Sequence, residues 1–418
     1  MFNHAFDRRE FLRASAAAGL WFAGTPLIGR AADTRGPERA KSIVTFWLGG
    51  GPSQLETWDP HPGTEIGGPT KAISCSIRDA QIAAEFPQLA EEIHRLSIIR
   101  SMVSKEGDHE RGAYHLKTGY RPDPTVIHPS IGAIATKELP APGVDIPHYV
   151  SIGGTEFPGR GGYFGDQYDP YRIFEAGQTG SNLEAHVEKP RHERRLEGLK
   201  VVSETFSQGR SKRLEQTLHQ HTINAALRMM NTEQLKAFSL KDVPAAVKTA
   251  YGDTPFGKGC LLARRLLETG VRAIEVTQGG FDTHADNFTG HTLRAGILDP
   301  ALSTFLKELA ERDLLDSTVV LVIGEFGRTP KINPLQGRDH WPTGFSCLVG
   351  GGGLKSGLVV GATDPTGEKT DPTDPVAVAD LYATILHTLG VDYEKEIITP
   401  IGRPLKLSDG KKIERLLA

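Results

Sequence analysis

Cysteine is scarce in this sequence, with three residues in 418: Cys75, Cys260 and Cys347. So odd, sparse and widely spaced a set excludes a disulfide framework and a zinc knuckle, and allows at most one bridge in an oxidising compartment. An excess of either charge is also missing. With 48 basic and 51 acidic residues the formal net charge is −3, so nothing in the balance asks for nucleic acid or an anionic membrane. There is no internal repeat, low-complexity tract, dinucleotide fingerprint or Cys pair, which argues against a solenoid and against a redox role. The uncharged run from Ala14 to Gly29, about 16 residues, falls short of the ~20 that a stable membrane anchor needs.

That run has a telling neighbour. It follows Asp7-Arg8-Arg9-Glu10-Phe11-Leu12-Arg13 and leads into Gly29-Arg30-Ala31-Ala32. Adjacent arginines, a Phe-Leu pair, a short apolar stretch and small residues at a cut site are the layout of a twin-arginine signal peptide over residues 1–31. Export by that route carries folded proteins, often already loaded with a cofactor or metal, and places the mature chain in the periplasm or beyond. No stable membrane span is expected once the signal is cut.

The remainder is long enough for one large domain or two smaller ones. It opens on Ser42-Ile43-Val44-Thr45-Phe46-Trp47-Leu48, an apolar run closed by Gly49-Gly50-Gly51, which reads as a buried parallel strand. Further strands are expected at Ser97–Met102, His148–Ile152, Val271–Thr277, Ser317–Gly324 and Phe345–Gly350. Helices are expected at Leu89–Leu96, Glu110–Thr118, Phe256–Leu267, Pro300–Arg312 and Asp380–Leu389. Strands alternating with helices predict an α/β fold with a parallel sheet covered on both faces. Between 171 and 247 the pattern turns charged and helical, which predicts a mainly helical insertion rather than a separate domain.

Four polar clusters follow predicted strand ends, where open α/β sheets bind ligands. In Gly49-Gly50-Gly51-Pro52-Ser53-Gln54, with Glu56 and Asp59 shortly after, the glycines let backbone N–H groups approach an anion. Ser53 is either a nucleophile or a cap. Asp108-His109-Glu110-Arg111 at a helix start either holds a metal or phosphate, or is an N-cap Asp with solvated first-turn charges. Phe281-Asp282-Thr283-His284-Ala285-Asp286-Asn287 offers an Asp-x-His pair that suits zinc, manganese or iron. The fourth cluster joins Gly324-Glu325-Phe326-Gly327-Arg328-Thr329 to Gly337-Arg338-Asp339-His340-Trp341. It supplies a carboxylate, a further Asp-His pair and two arginines, which either bind an oxyanion or form surface ion pairs worth under about 1 kcal/mol.

The order of these motifs resembles the DUF1501 family of exported bacterial proteins and, through it, the alkaline phosphatase and sulfatase superfamily. The stretches that carry the resemblance are 49–60, 109–119, 279–284, 324–330 and 337–341, and it extends over nearly the whole mature chain, residues 40–418. It implies a three-layer sandwich with a mostly parallel central sheet. It further implies a hydrolase of phosphate or sulfate esters, on a small molecule or a polysaccharide, that uses a divalent metal (zinc, manganese, iron or calcium). Asp282, His284 and His340 match metal ligands. Glu325 and Phe326 stand where an Asp-His ligand pair is usual, leaving Glu325 as an additional ligand or base. The position of a first-strand Asp falls within Gly49–Gly51, and that of the usual nucleophile falls on His109. Half of a two-metal site is therefore retained, and a single ion could activate water. Ser53 or His109 would handle the nucleophile or proton, and Arg111 and Arg328 the anionic group. The other reading is a cell-envelope protein that kept the fold and an anion or metal pocket but lost turnover.

Overall fold

Strand β1, Ser42–Leu48, sends alternate side chains to opposite faces, as a strand must. Val44, Phe46 and Leu48 enter one apolar core, and Ile43 and Trp47 enter another. Burial on both sides explains why the run reads as continuously apolar rather than alternating. The computed structural model describes residues 40–177, 187–208 and 219–418. The twin-arginine segment, residues 1–31, lies outside the described residues.

Around β1 the chain assembles a nine-stranded sheet. Its members are β1, β2 (Leu96–Val103), β3 (Tyr149–Ile152), β4 (Tyr171–Ile173), β5 (Ala273–Gln278), β6 (Thr318–Ile323), β9 (Phe345–Gly350), β10 (Val359–Val360) and β11 (Val376–Ala377). The order is β10-β2-β9-β6-β1-β5-β3-β4, with β11 also on β2. A separate two-stranded ribbon, β7 (Gly327–Arg328) with β8 (His340–Trp341), lies between β6 and β9 in sequence. Every pairing in the sheet is parallel except those of β9, which runs antiparallel to both β2 and β6. The sequence predicts the β9 strand but not its reversed direction, since an apolar run reads the same both ways.

Helices cover both faces. On one side α3 (Pro255–Thr269) and α4 (Asn287–Glu311) pack Leu262, Leu266, Leu302 and Phe305 against Phe46, Val320 and Val322. On the other, α1 (His109–Thr118), α2 (Ile131–Glu138) and α5 (Val378–Thr388) pack Leu116, Ile134, Leu381 and Ile385 against Ile43, Leu321 and Val349. Each fully buried aliphatic or Phe side chain contributes about 1.5–3 kcal/mol. All three cysteines are free thiols, with Cys260 and Cys347 in opposite cores. No helix among the described residues is long and apolar enough to cross a membrane.

Two boundaries differ from the sequence reading. The helix expected from Pro300 begins at Asn287 and carries Pro300 inside it. Proline removes one N–H and its ring crowds the carbonyl four residues back, here that of Gly296. The charged stretch from 171 opens with β4, paired with β3 at the sheet edge. Beyond it the described parts form helices at Lys189–Ser207, His219–Asn231 and Ala245–Tyr251.

Candidate metal centre

The parallel strands β1, β5 and β6 end at one edge of the sheet, and two antiparallel steps through β9 bring the end of β2 there as well. The loops leaving these four strands carry all four polar clusters. Asp108 caps α1 by accepting from the Arg111 backbone N–H at 3.1 Å, and Gly119 at φ 77° ends it. His109 is thereby fixed as the first residue of the helix. Gly50, at φ 110°, lies so close to the next loop that a Cβ would sit 2.4 Å from the Asp282 nitrogen. Only glycine lets the ends of β1 and β5 approach this closely.

Three imidazoles converge on Asp282. His284 Nε2 lies 3.1 Å from Oδ1, His340 Nε2 3.3 Å from Oδ1, and His109 Nε2 3.3 Å from Oδ2. His284 Nε2 and His340 Nε2 are 3.0 Å apart. One donor atom each from His109, Asp282 and His340 fall within 4.8 Å of one another. The outer nitrogens are all engaged: His109 Nδ1 with Glu325 Oε1 at 2.8 Å, His284 Nδ1 with Asp339 Oδ1 at 2.9 Å, and His340 Nδ1 with the Gly107 carbonyl at 2.7 Å. Those partners accept only, so each ring carries a proton on Nδ1 and, when neutral, turns an Nε2 lone pair inward. Between neutral rings these lone pairs repel, which a proton or a metal ion shared among them would relieve.

His109, Asp282 and His340 could hold a divalent metal, with His284 beside them on Asp282 and His340. A tetrahedral shell with ligand distances of about 2.0–2.1 Å has edges of about 3.3 Å, close to the separations observed. Imidazoles backed by carboxylates or a carbonyl are the usual outer support of a bound metal.

The electrostatics favour ligation at Asp282 and His340. Burial raises the Asp282 carboxyl, but the Arg328 hydrogen bond and charge, helped by His109 and His340, outweigh it and hold the group at about 2. At His109 the Glu325 hydrogen bond raises the imidazole against burial and so favours the protonated ring, a proton that a bound metal would displace. Burial lowers His340, favouring its neutral form. The fully buried Phe326 ring packs 4.3 Å from the His340 ring and 5.1 Å from the His109 ring, centre to centre. Phe326 thus forms a dry wall behind both imidazoles.

The sequence-predicted residues divide clearly. Asp282, His284 and His340 come together as expected. Glu325 faces the same point from behind His109, and its Oε1 also accepts from the Gly50 N–H at 2.8 Å. His109, expected to act as base, acid or phosphate ligand, stands among the metal-type donors. Ser53 is placed otherwise. Its hydroxyl oxygen is sealed from solvent and its backbone N–H donates to His291 Nε2 at 2.9 Å.

The arginines also depart from expectation. Arg111 forks onto Glu106, Nε to Oε2 at 2.6 Å and Nη2 to Oε1 at 3.1 Å, away from the cluster. Arg328 and Arg338 are fully buried, so neither forms a surface ion pair. Arg328 donates Nε to the Gly51 carbonyl at 2.8 Å, Nη1 to the Arg338 carbonyl at 3.1 Å, and Nη2 to both the Gly50 carbonyl and Asp282 Oδ1. It orients Asp282 and ties the loops together, leaving little of its fork for an oxyanion. Arg338 forks onto buried Glu56 at 3.1 and 2.8 Å, and Glu56 also accepts from Asn287 Nδ2 at 2.8 Å. Gln54 exchanges two hydrogen bonds with the Arg328 backbone. The Gly-Gly-Gly-Pro-Ser-Gln motif is therefore the scaffold beneath the cluster rather than a source of ligands.

The family described as "Protein of unknown function (DUF1501)" matches residues 40–417. Among solved structures, a protein in the alkaline phosphatase superfamily from Vibrio parahaemolyticus is 13% identical, over 91% of this chain and 71% of that one, with a TM-score of 0.41. A sulfatase from Pseudoalteromonas sp. is 12% identical over 85% and 69%, with a TM-score of 0.40. A phosphonate monoester hydrolase from Silicibacter pomeroyi is 12% identical over 91% and 76%, with a TM-score of 0.37. No curated protein matches the sequence.

Proposed function

The chain belongs to the DUF1501 family, and from its His-rich cluster we propose that it is an exported, metal-dependent hydrolase of phosphate or sulfate esters. The observation that carries this reading is the convergence of three Nε2 atoms on the Asp282 carboxylate, each ring backed by an acceptor on its outer nitrogen. The ester class rests on the order of the motifs along the sequence, and export on the twin-arginine layout of residues 1–31.

In this reading His109, Asp282, His284 and His340 hold one divalent ion. Such an ion polarises an ester oxygen and makes water a nucleophile near neutral pH. The side chains around it have separable tasks. Arg328 fixes the Asp282 carboxylate. Asp339 and the Gly107 carbonyl fix the His284 and His340 rings. Glu325 Oε1 holds the proton of His109 Nδ1, so the Nε2 lone pair would be directed at the ion. Phe326 excludes water from one side. No Ser, Thr or Cys side chain is hydrogen-bonded to the four donors among the described residues, so the nucleophile assigned here is water.

Elemental analysis of the purified protein tests this, with Asp282→Ala and with aryl phosphates and aryl sulfates as substrates. Near-stoichiometric metal and ester hydrolysis, both lost in Asp282→Ala, are expected. Metal without hydrolysis of any ester would favour a binding protein that retains the fold, the reading to which Phe326 in place of a ligand points. No metal in either sample would remove both.

A further inference from the structure

Arg294 stands apart from the other buried or half-buried arginines at this end of the sheet. Arg328 and Arg338 each reach a carboxylate, Asp282 and Glu56. The guanidinium of Arg294 makes no hydrogen bond or ion pair among the described residues, and its Nε is sealed from solvent without an acceptor. The residue is half-buried and its Nη1 and Nη2 groups are neither sealed nor paired, so that edge of the fork is the part open to a partner.

Its position indicates what that partner would be. Arg294 projects from α4, and its backbone carbonyl accepts from Gln278 Nε2 at 3.0 Å, which pins this turn of the helix to the end of β5. The guanidinium lies flat against Gly280, where a Cβ would come within 2.6 Å of Cζ and Nε. Gly280 has φ 94°, so glycine is required for the turn as well as for the contact. Gly280 is exposed and stands two residues before Asp282, a span of at most about 7 Å. Beside it, Gly279 has no atom within 4 Å of its Cβ direction, and its Cα meets Gly49. Bare backbone at the ends of β1 and β5 thus leaves room for a ligand to lie between the guanidinium and the metal cluster.

We propose that Arg294 is the anion-recognising residue of this site and holds an oxyanion of the ligand (phosphate, sulfate or carboxylate) beside the metal cluster. This rests on the reading of the cluster as a site for anionic esters. It also supplies the role that Arg111 and Arg328 do not fill. A planar fork matches two oxygens of such a group better than an ammonium does.

Inorganic phosphate and sulfate are titrated calorimetrically into the metal-loaded full-length protein and its Arg294→Gln and Arg294→Lys variants. Metal content, thermal unfolding and aryl ester hydrolysis are measured on the same samples. The expected result is an anion affinity about tenfold or more weaker in R294Q, a smaller loss in R294K, and unchanged metal content and unfolding temperature. Unchanged affinity in R294Q overturns the proposal, as does a wild-type protein that binds neither anion. An R294Q protein that loses its metal together with the anion also overturns it, because Arg294 would then be scaffold. Hydrolysis decides the other question separately. Arg294-dependent anion binding without turnover keeps this inference and removes the hydrolase, whereas turnover with unchanged anion affinity in R294Q does the reverse.

Discussion

Arg328 donates to Asp282 Oδ1 at 2.5 Å from a position with no exposure to solvent. The guanidinium is thus a fixed cation on one oxygen of the carboxylate that the three imidazoles share. Its other N–H groups bond carbonyls of the β1 loop and of the segment before β8. Arg328→Lys keeps the charge but not the fork, leaving buried carbonyls unpaired at about 1–3 kcal/mol each. We expect a loss of about 2–4 kcal/mol, together with weaker metal binding. Urea unfolding of the two proteins measures the first effect and metal titration the second. A variant as stable as the parent contradicts the assignment.

Glu325 touches the metal-type donors only through His109. Glu325→Gln preserves its size and replaces the anionic acceptor by a neutral amide. Zinc or manganese affinity is expected to fall about 10–100-fold, with stability changed by less than about 1 kcal/mol. An affinity equal to that of the parent, measured calorimetrically, would separate Glu325 from the site.

Ser53 is sealed beneath the β1 loop. Ser53→Ala is expected to keep kcat for an aryl ester within about threefold of the parent, since nucleophile removal elsewhere costs several orders of magnitude. A loss of about a thousandfold at unchanged KM would restore the serine as nucleophile.

Lys117 and Glu275 form a buried pair at 2.7 Å, joining α1 to β5, with the ammonium 4.4 Å from the centre of the Trp47 ring. Lys117→Met alone leaves a buried carboxylate and should destabilise by about 3–5 kcal/mol. Adding Glu275→Leu should recover most of that loss. A double-mutant cycle in urea measures the coupling, and two additive losses would show that the pair is not coupled.

Burial lowers the His115 imidazole from 6.5 to about 4, while the Ser104 hydroxyl lies 2.9 Å from Nδ1. The folded protein keeps this ring neutral where the unfolded chain protonates it. Its contribution is therefore complete above pH 6.5 and declines between pH 6.5 and 4, by about 3 kcal/mol in all. In His115→Asn the fall in stability over that window should be shallower by about one proton. Equal slopes for variant and parent would show that another group carries the acid sensitivity.

Legibility in the sequence followed distance along the chain. Asp282, His284 and His340 are legible as neighbours because they occupy short loops directly after strong strands, while their role as metal ligands comes only from the resemblance of the motif order. For His109 the sequence leaves a metal or phosphate site and a capped helix start as alternatives, because its nearness to Asp282 depends on loops far apart in the chain. Arg111 was misread for the opposite reason. Two residues along α1 turn its side chain about 200° from His109, towards Glu106. The buried state of Arg328 and Arg338 could not be seen, since the carbonyls that receive them come from loops far apart in the chain. Arg294 carried no signal, lying within a helix that the sequence reading began only at Pro300.

Reversal of β9 has a consequence for how this chain can change. One of its two neighbours in the sheet is β6, the strand before it, so the segment 324–344 leaves and re-enters the scaffold at adjacent points, instead of crossing a face as a parallel return must. Glu325, Phe326, Arg328, Asp339 and His340 all travel on that excursion. These five side chains can therefore change together, while the strands on either side keep their register.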